Sequence, residues 1–446
     1  MKVRLSPSPH ALLHVGNARM ALLTWLLARR NGGKVVIRLD DGDGRARPDQ
    51  LESLQQDLSW LGLDWDRLVR QSERQALYAD AVERLKAAGR LYPCFESEEE
   101  LNAKREHRQR RGQPTLYDRA MLKLTPEQRN AAEAGGKRPY WRFLLSGVPA
   151  EWGDMVQGRQ SVKLSAVSDP VLVDAEGVPQ PLLTAAVDDI ELGITHALRG
   201  QDHLTASGIE LELRAALGAP IAINRPGALR FGHVPLLAGA KGERLKRTSA
   251  LSLRSLRTDG VEPGALAGLL AALGTPNPSV PTPAAMLAKD YDLSRLSKDQ
   301  PRFDPRTLLA VNRRALGALS FESVQDRLPP AATPAFWQAV RGSLDLLREA
   351  RGWWDVVGGS IVPPLVEDEA EFLHQALDTL PPEPWDEATW SSWTDALRAA
   401  SGRKGKPLFV PLRLALTGED QGPELGDLLP LMGRSRVAER LRLASA

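Results

Sequence analysis

The apolar and polar positions of the first ninety or so residues follow a strand, helix, strand, helix rhythm. After an apolar strand start, Pro7 and Pro9 hold the chain extended, because proline fixes its own φ and pushes the residue before it out of the helical region. "NARMALLTWLLARRNGG" then spreads apolar residues around most of a helical surface and stops at Gly32 and Gly33, which predicts a buried helix ending there. "KVVIRLDD", Lys34 to Asp41, reads as a short buried strand closing on acids. Asp49 to Asp66 reads as an amphipathic helix followed by a glycine-containing turn. This order predicts an α/β fold built on a doubly wound, parallel, Rossmann-type sheet. Ligands in that architecture sit at the carboxyl ends of the strands, so His14 and Asp40-Asp41 are expected to face one crevice.

From Leu91 the texture changes to a dense mixed-charge helix through Gly112, followed by irregular strands, which predicts an inserted α+β subdomain. The basic members of that helix, Lys104, Arg105, Arg108, Arg110 and Arg111, form either a solvated face or a contact for a phosphate backbone. At Thr184–Gly218 the strand and helix rhythm returns, and Asp188, Asp189, His196, Arg199, Asp202 and His203 fall close together in sequence. Their spacing matches no standard zinc or calcium pattern, so no metal site is expected. After Pro301 the pattern is helical to the end, with six tryptophans between Trp337 and Trp393 that serve as core or as platforms for bases.

Composition narrows the class. A chain of 446 residues exceeds what one core supports and predicts about two to four domains. With 58 basic against 56 acidic residues, any nucleic-acid partner must be met by a local basic face. The single Cys94 excludes an intrachain disulfide and a multi-cysteine zinc site. Residues 1–30 lack a secretory signal pattern and no apolar run is long enough to span a membrane, so a cytoplasmic protein without a membrane partner is expected.

Two stretches carry candidate chemistry. In "SPSPHALLHVGNAR", His14 and Gly16 sit in a strand-to-helix turn, where free N–H groups and the positive end of the helix dipole favour phosphate. Gly16 permits close approach of a ligand. In "HVPLLAGAKGERLKRTSALSLRSLR", Lys241, Arg244, Lys246 and Arg247 lie on a glycine-rich loop before a helix. A mobile basic loop of this kind suits triphosphate chemistry, in which charge must be neutralised as the transition state forms.

In this order, the segments resemble the bacterial glutamyl-tRNA synthetases, members of the class I aminoacyl-tRNA synthetases, over essentially the whole chain. "SPSPHALLHVGNAR" is similar to their P-S-P-T-G-x-L-H-V-G, "RLDDGDGRARP" to R-I-E-D-T-D-x-x-R, and "LGITHALRGQDHLTASGIELEL" to I-T-H-V-I-R-G-E-D-H. "ERLKRTSALSL" stands where K-L-S-K-R is expected, and "RFDPRTLLAVNRR" and "GRKGKPLFVPLRLALTGEDQGPEL" resemble the anticodon-binding half. The resemblance implies activation of glutamate by ATP with magnesium, then transfer to the 3′ end of a tRNA, of glutamate type or glutamine type. It implies catalytic roles for His14, Lys246 and Arg247, with Gly16, Asn17 and Arg244 also on ATP. Glutamate would be held by Arg4, Ser6, Ser8, Asp40 and Arg199. The implied domains are 1–91 and 183–300, the two halves of the catalytic domain; 92–182, an insertion that cradles the acceptor end; and 301–446, a helical anticodon-binding region. A monomer without zinc is expected.

Several positions depart from the family pattern. Thr-Gly of the first motif is His10-Ala11, the acid expected to bind the substrate amino group is Asp40 and not Glu, and family G-E-D is Gly200-Gln201-Asp202. An ungapped reading puts Pro181 and Ala185 of one strand where a tyrosine and a small polar residue are expected. In the basic loop, either a serine is missing between Leu245 and Lys246, or Glu243 replaces the first lysine. These changes leave two readings within the family, a working ligase with a remodelled pocket or a paralogue that binds tRNA without normal glutamylation; a third, an unrelated nucleotidyl-transferring α/β enzyme, is disfavoured by the segments Arg302–Arg314 and Arg403–Gly422.

Overall fold

The computed structural model describes residues 1–7, 12–42, 48–221, 227–245, 251–359, 361–366 and 368–445. The chain forms two compact units: one of residues 1–255 with 267–304, the other of residues 256–266 with 305–446.

The first unit begins β1 (Lys2–Leu5), α1 (Val15–Arg30), β2 (Lys34–Leu39), α2 (Pro48–Trp60), β3 (Arg67–Arg70) and α3 (Gln75–Ala87). Helix α1 is buried on most of its circumference, from Val15 through Ala28, as its apolar pattern predicts. It ends with Arg29 and Arg30 in the last turn, favourable against the negative end of the helix dipole. Gly32 then takes the left-handed conformation at φ +59, and at Gly33 a Cβ would stand 2.9 Å from the Met1 carbonyl, so the return into β2 needs both glycines.

The insertion contains β4 (Leu91–Cys94), α4 (Glu98–Arg110), α5 (Pro126–Ala134), β5 (Tyr140–Phe143), β6 (Ala150–Asp154), β7 (Gly158–Val162) and β8 (Val171–Val173). Strands β4, β5 and β8 make an antiparallel sheet, and β6 and β7 a separate hairpin. Helix α4 opens on a Ser97–Glu100 capping box and buries no residue, as its charge-dense sequence requires. The chain then returns through α6 (Pro181–Glu191), β9 (His196–Gly200), α7 (Leu204–Ala216) and β10 (Arg230–Val234). The stretch carrying Pro181 and Ala185, expected as strand, is the start of α6: proline at the first helical position costs no hydrogen bond and has its φ already set for the helix.

The main sheet has the order β10-β9-β1-β2-β3 and every pair in it is parallel. The chain winds outward from β1 in both directions, which places the topological switch point, and with it the expected ligand crevice, at the carboxyl end of β1. In the second unit the core is built from helices, with Trp337 and Trp393 wholly enclosed among leucines and valines. These two tryptophans are core, and their indole N–H groups donate to the Leu319 and Ala376 carbonyls. Asn312, fully buried, fastens residues 256–266 into this unit: its side chain accepts from Glu262 N–H at 2.7 Å and donates to the carbonyls of Gly260 and Asp345.

Candidate active site

The carboxyl ends of β1, β2, β9 and β10 bring Arg4, Ser6, Arg38, Asp40, Arg199 and His233 to one side of the sheet. His14 caps α1 there. Its Nδ1 accepts the Gly16 N–H at 3.3 Å, which leaves the ring proton on Nε2 as a donor. A Cβ on Gly16 would meet only that ring, at 3.8 Å, so the protein itself does not demand glycine there. Asn17 is exposed in the first turn of the helix.

Beneath the crevice lies a layer of buried charge. Arg4 Nε donates to Asp189 Oδ1 at 2.7 Å, and its Nη1 donates to Ser6 Oγ at 3.2 Å. Arg38 donates to Asp40 at 2.9 Å and stands 3.7 Å from Asp188 and 3.6 Å from Asp189. Arg74, Gln71 and Tyr78 all donate to Asp188. Arg199 donates from Nη1 to Ser207 Oγ at 3.0 Å and from Nη2 to Glu210 at 2.7 Å, with its guanidinium 4.6 Å above the Phe231 ring. Arg214, one turn beyond Glu210, has Nε and Nη1 buried without a hydrogen-bond partner. Burial outweighs the pull of Glu210 and Asp189 and lowers its pKa. The carboxyl of Asp189 is held below its ordinary pKa: burial opposes this, but Arg4 and Arg38 outweigh it. Pro181, Ala185 and Asp189 fall at i, i+4 and i+8 of α6, so the two altered positions lie on the face that Asp189 turns toward Arg4.

The cluster expected in Thr184–Gly218 is divided by the fold. Asp188 and Asp189 lie under the arginines and Arg199 near the end of β9, whereas His196 stands at its start, where burial and then Arg230 lower its pKa to about 4. Asp202 and His203 are exposed in the following turn. Among the described residues, no group of three or more His, Cys, Asp or Glu side chains is arranged to hold a metal. Ser8, Lys246 and Arg247 lie outside the described residues. Of the basic loop, Lys241 and Arg244 are exposed, and Glu243 folds back into its own turn. Its carboxylate accepts the Lys241 N–H at 3.0 Å and occupies the space a Cβ would take on Gly239. The acid is thus a turn residue within the loop.

Residues 1–305 match the family described as tRNA synthetases class I (E and Q), catalytic domain, and residues 365–445 the anticodon binding domain family. The chain belongs to the class I glutamate and glutamine tRNA synthetases. This synthetase is 54% identical over 447 residues to glutamate–tRNA ligase 2 of Gluconacetobacter diazotrophicus, with 100% of both chains covered. It is 53% identical to the protein of the same name from Acidiphilium cryptum, again over 100% of both. A crystal structure of glutamate-tRNA synthetase from Elizabethkingia anophelis shares the fold with a TM-score of 0.84 at 23% identity, covering 100% of this chain and 99% of that one. Sequence reasoning missed Arg38, Ser207 and Glu210 of this synthetase. The signals that could have found them were the motif matches, since Arg38 opens "RLDDGDGRARP" and Ser207 and Glu210 lie in "LGITHALRGQDHLTASGIELEL", and the Glu210–Arg214 spacing, an i, i+4 pair on a helix.

Proposed function

We propose that this chain is a glutamate–tRNA ligase that activates glutamate with ATP and transfers it to the 3′ end of tRNA. The observation that carries the reading is the cluster of guanidinium groups at the carboxyl ends of the strands. Arg4, Arg38, Arg74, Arg199 and Arg214 are gathered there, interleaved with Asp40, Asp188, Asp189 and Glu210, and guanidinium is the group that forks onto a substrate carboxylate. Near full-length identity to named ligases supports a working enzyme over a scaffold kept for tRNA binding alone.

In the first step a glutamate α-carboxylate oxygen attacks the α-phosphorus of ATP. The bond to the β-phosphate bridging oxygen breaks, and pyrophosphate leaves with magnesium. The N–H groups at the start of α1, with His14 Nε2–H beside Gly16 and Asn17, receive the phosphates. Arg244, Lys246 and Arg247 neutralise the departing pyrophosphate. Arg199 receives the glutamate side-chain carboxylate, with Arg4, Ser6 and Ser8 around it, and Asp40 faces the amino group, shared with Arg38. In the second step a hydroxyl of the terminal ribose attacks the activated carbonyl and AMP leaves. The insertion, residues 92–182, cradles the acceptor end, and residues 301–446 read the anticodon of a glutamate-type or glutamine-type tRNA. The protein acts as a cytoplasmic monomer without zinc.

The deciding experiment is aminoacylation of total tRNA with labelled glutamate, ATP and magnesium beside a tRNA filter-binding assay. Charging well above a His14→Ala control is the expected result. Binding without charging overturns the ligase reading.

A further inference from the structure

Ser207, His233 and Asp154 form a hydrogen-bonded line with the residue types of a hydrolase triad. Ser207 Oγ lies 2.9 Å from His233 Nε2, and His233 Nδ1 lies 2.5 Å from Asp154 Oδ2. Nucleophilic chemistry is excluded by burial: Ser207 and His233 are both 0% exposed, so no substrate reaches the hydroxyl. The line has another terminus. Because a carboxylate only accepts, the Asp154 contact assigns the ring proton to Nδ1. The Nε2 lone pair then accepts the Ser207 hydroxyl, and the serine oxygen accepts the Arg199 N–H at 3.0 Å. Every donor and acceptor along the line has the correct sense, from Arg199 through Ser207 and His233 to Asp154.

The backbone explains why these four side chains meet. In the parallel register His233 of β10 stands opposite Arg199 of β9, so both leave the sheet on the same face. Ser207 and Glu210, three apart on α7, share the helix face that covers them. Asp154 is the last residue of β6, in the hairpin of the insertion, and is over-determined there. Its Oδ1 accepts the N–H groups of Val156, Gln157 and His233 at 2.9–3.0 Å. Burial pushes its pKa up, but the His233 ring and these N–H groups overcome that and bring it down to about 2.

We propose that Ser207 and Glu210 are positioning residues that set the Arg199 guanidinium for the amino-acid carboxylate, and that His233 and Asp154 hold Ser207 in turn. Of the five N–H hydrogens of Arg199, these two partners take two and the Phe231 ring supports the plane, so the remaining edge is presented in one orientation. The orientation of the amino-acid receptor is thereby tied to the β6–β7 hairpin of the insertion. The inference rests on the assignment of Arg199 as that receptor.

The test is steady-state glutamylation of tRNA by the full chain and four variants, with KM determined separately for glutamate and for ATP. Ser207→Ala removes the acceptor. His233→Asn keeps a donor to Asp154 and loses the reach to Ser207. Glu210→Ala removes the carboxylate, and Glu210→Gln keeps one acceptor oxygen. Ser207→Ala and His233→Asn are expected to raise KM for glutamate about tenfold, the effect of one hydrogen bond to a charged group, with KM for ATP within about twofold of wild type. Glu210→Gln is expected to recover most of what Glu210→Ala loses, a rescue that general destabilisation does not produce. If the wild-type chain charges tRNA but KM for glutamate is unmoved, or rises together with KM for ATP, the positioning role is overturned and the ligase reading stands. A wild-type chain that neither charges tRNA with glutamate nor binds glutamate in calorimetry overturns both.

Discussion

The Arg4 guanidinium and the Asp189 carboxylate meet at 2.7 Å with the acid side chain wholly shut away from solvent. A buried pair of this kind gains little over apolar side chains of the same shape, but removing one member leaves the other charged and unpaired. Asp189→Ala is expected to destabilise the protein by about 3–5 kcal/mol, because Arg4 is left buried without its acid, while Arg38 keeps Asp40 and Asp188. Urea unfolding followed by tryptophan fluorescence measures it, and an unchanged midpoint refutes it.

His14 joins a structural role to the one proposed in catalysis. Losing its cap on the Gly16 N–H costs about 0.5–2 kcal/mol, whereas losing a donor aimed at developing phosphate charge costs about 10²–10³-fold in rate. His14→Ala is therefore expected to stay folded, bind tRNA with unaltered affinity and lose most turnover. Equal kcat in variant and wild type refutes the phosphate role.

Acid sensitivity should come in two stages. His196 titrates at about 4 in the fold against an ordinary 6.5, and Asp154 at about 2 against 3.8. Both folded values are depressed, so the unfolded chain takes up protons first. Each contribution is complete above the unfolded value and is lost as the pH falls toward the folded one. Stability is expected to decline from pH 6.5 to 4 through His196, then again from 3.8 to 2 through Asp154. Melting temperatures across that range, compared with His196→Gln, check the first stage: the variant should show a flatter curve above pH 4.

Gly260 sits at φ +87, and a Cβ there would stand 2.6 Å from the Leu347 side chain and 2.8 Å from its backbone nitrogen. Backbone cannot yield as a flexible side chain can. Gly260→Ala is expected to cost more than about 1 kcal/mol, through both the left-handed conformation and the clash. The readout is a lower unfolding midpoint in urea.

Much of the first unit is legible in its sequence, because its signals are local. The apolar circumference of α1, its glycine stop and the acids after β2 each lie within a few residues of the feature they specify. The charge layer was not legible. Asp188 and Asp189 appear in sequence as two acids in an apolar run, and their partners Arg4, Arg38 and Arg74 are more than a hundred residues away. Ser207 and Glu210 look like ordinary helix positions until β9 and β10 are laid side by side. Pro181 misled in the opposite sense: following extended, polar residues it reads as strand, yet it starts a helix.

Asn312 has a consequence for anyone who would cut this protein in two. Its amide is satisfied by Gly260 and Glu262, which precede residues 267–304 of the other unit along the chain. A fragment begun at residue 305 would expose that amide's partners' absence in its own interior, and a fragment ended there would carry an orphaned strip, residues 256–266. The line between the units is thus not a point on the polypeptide. Domain exchange between relatives, or separate expression of the helical part, has to transplant that strip as well, spliced onto the amino end of the piece it serves.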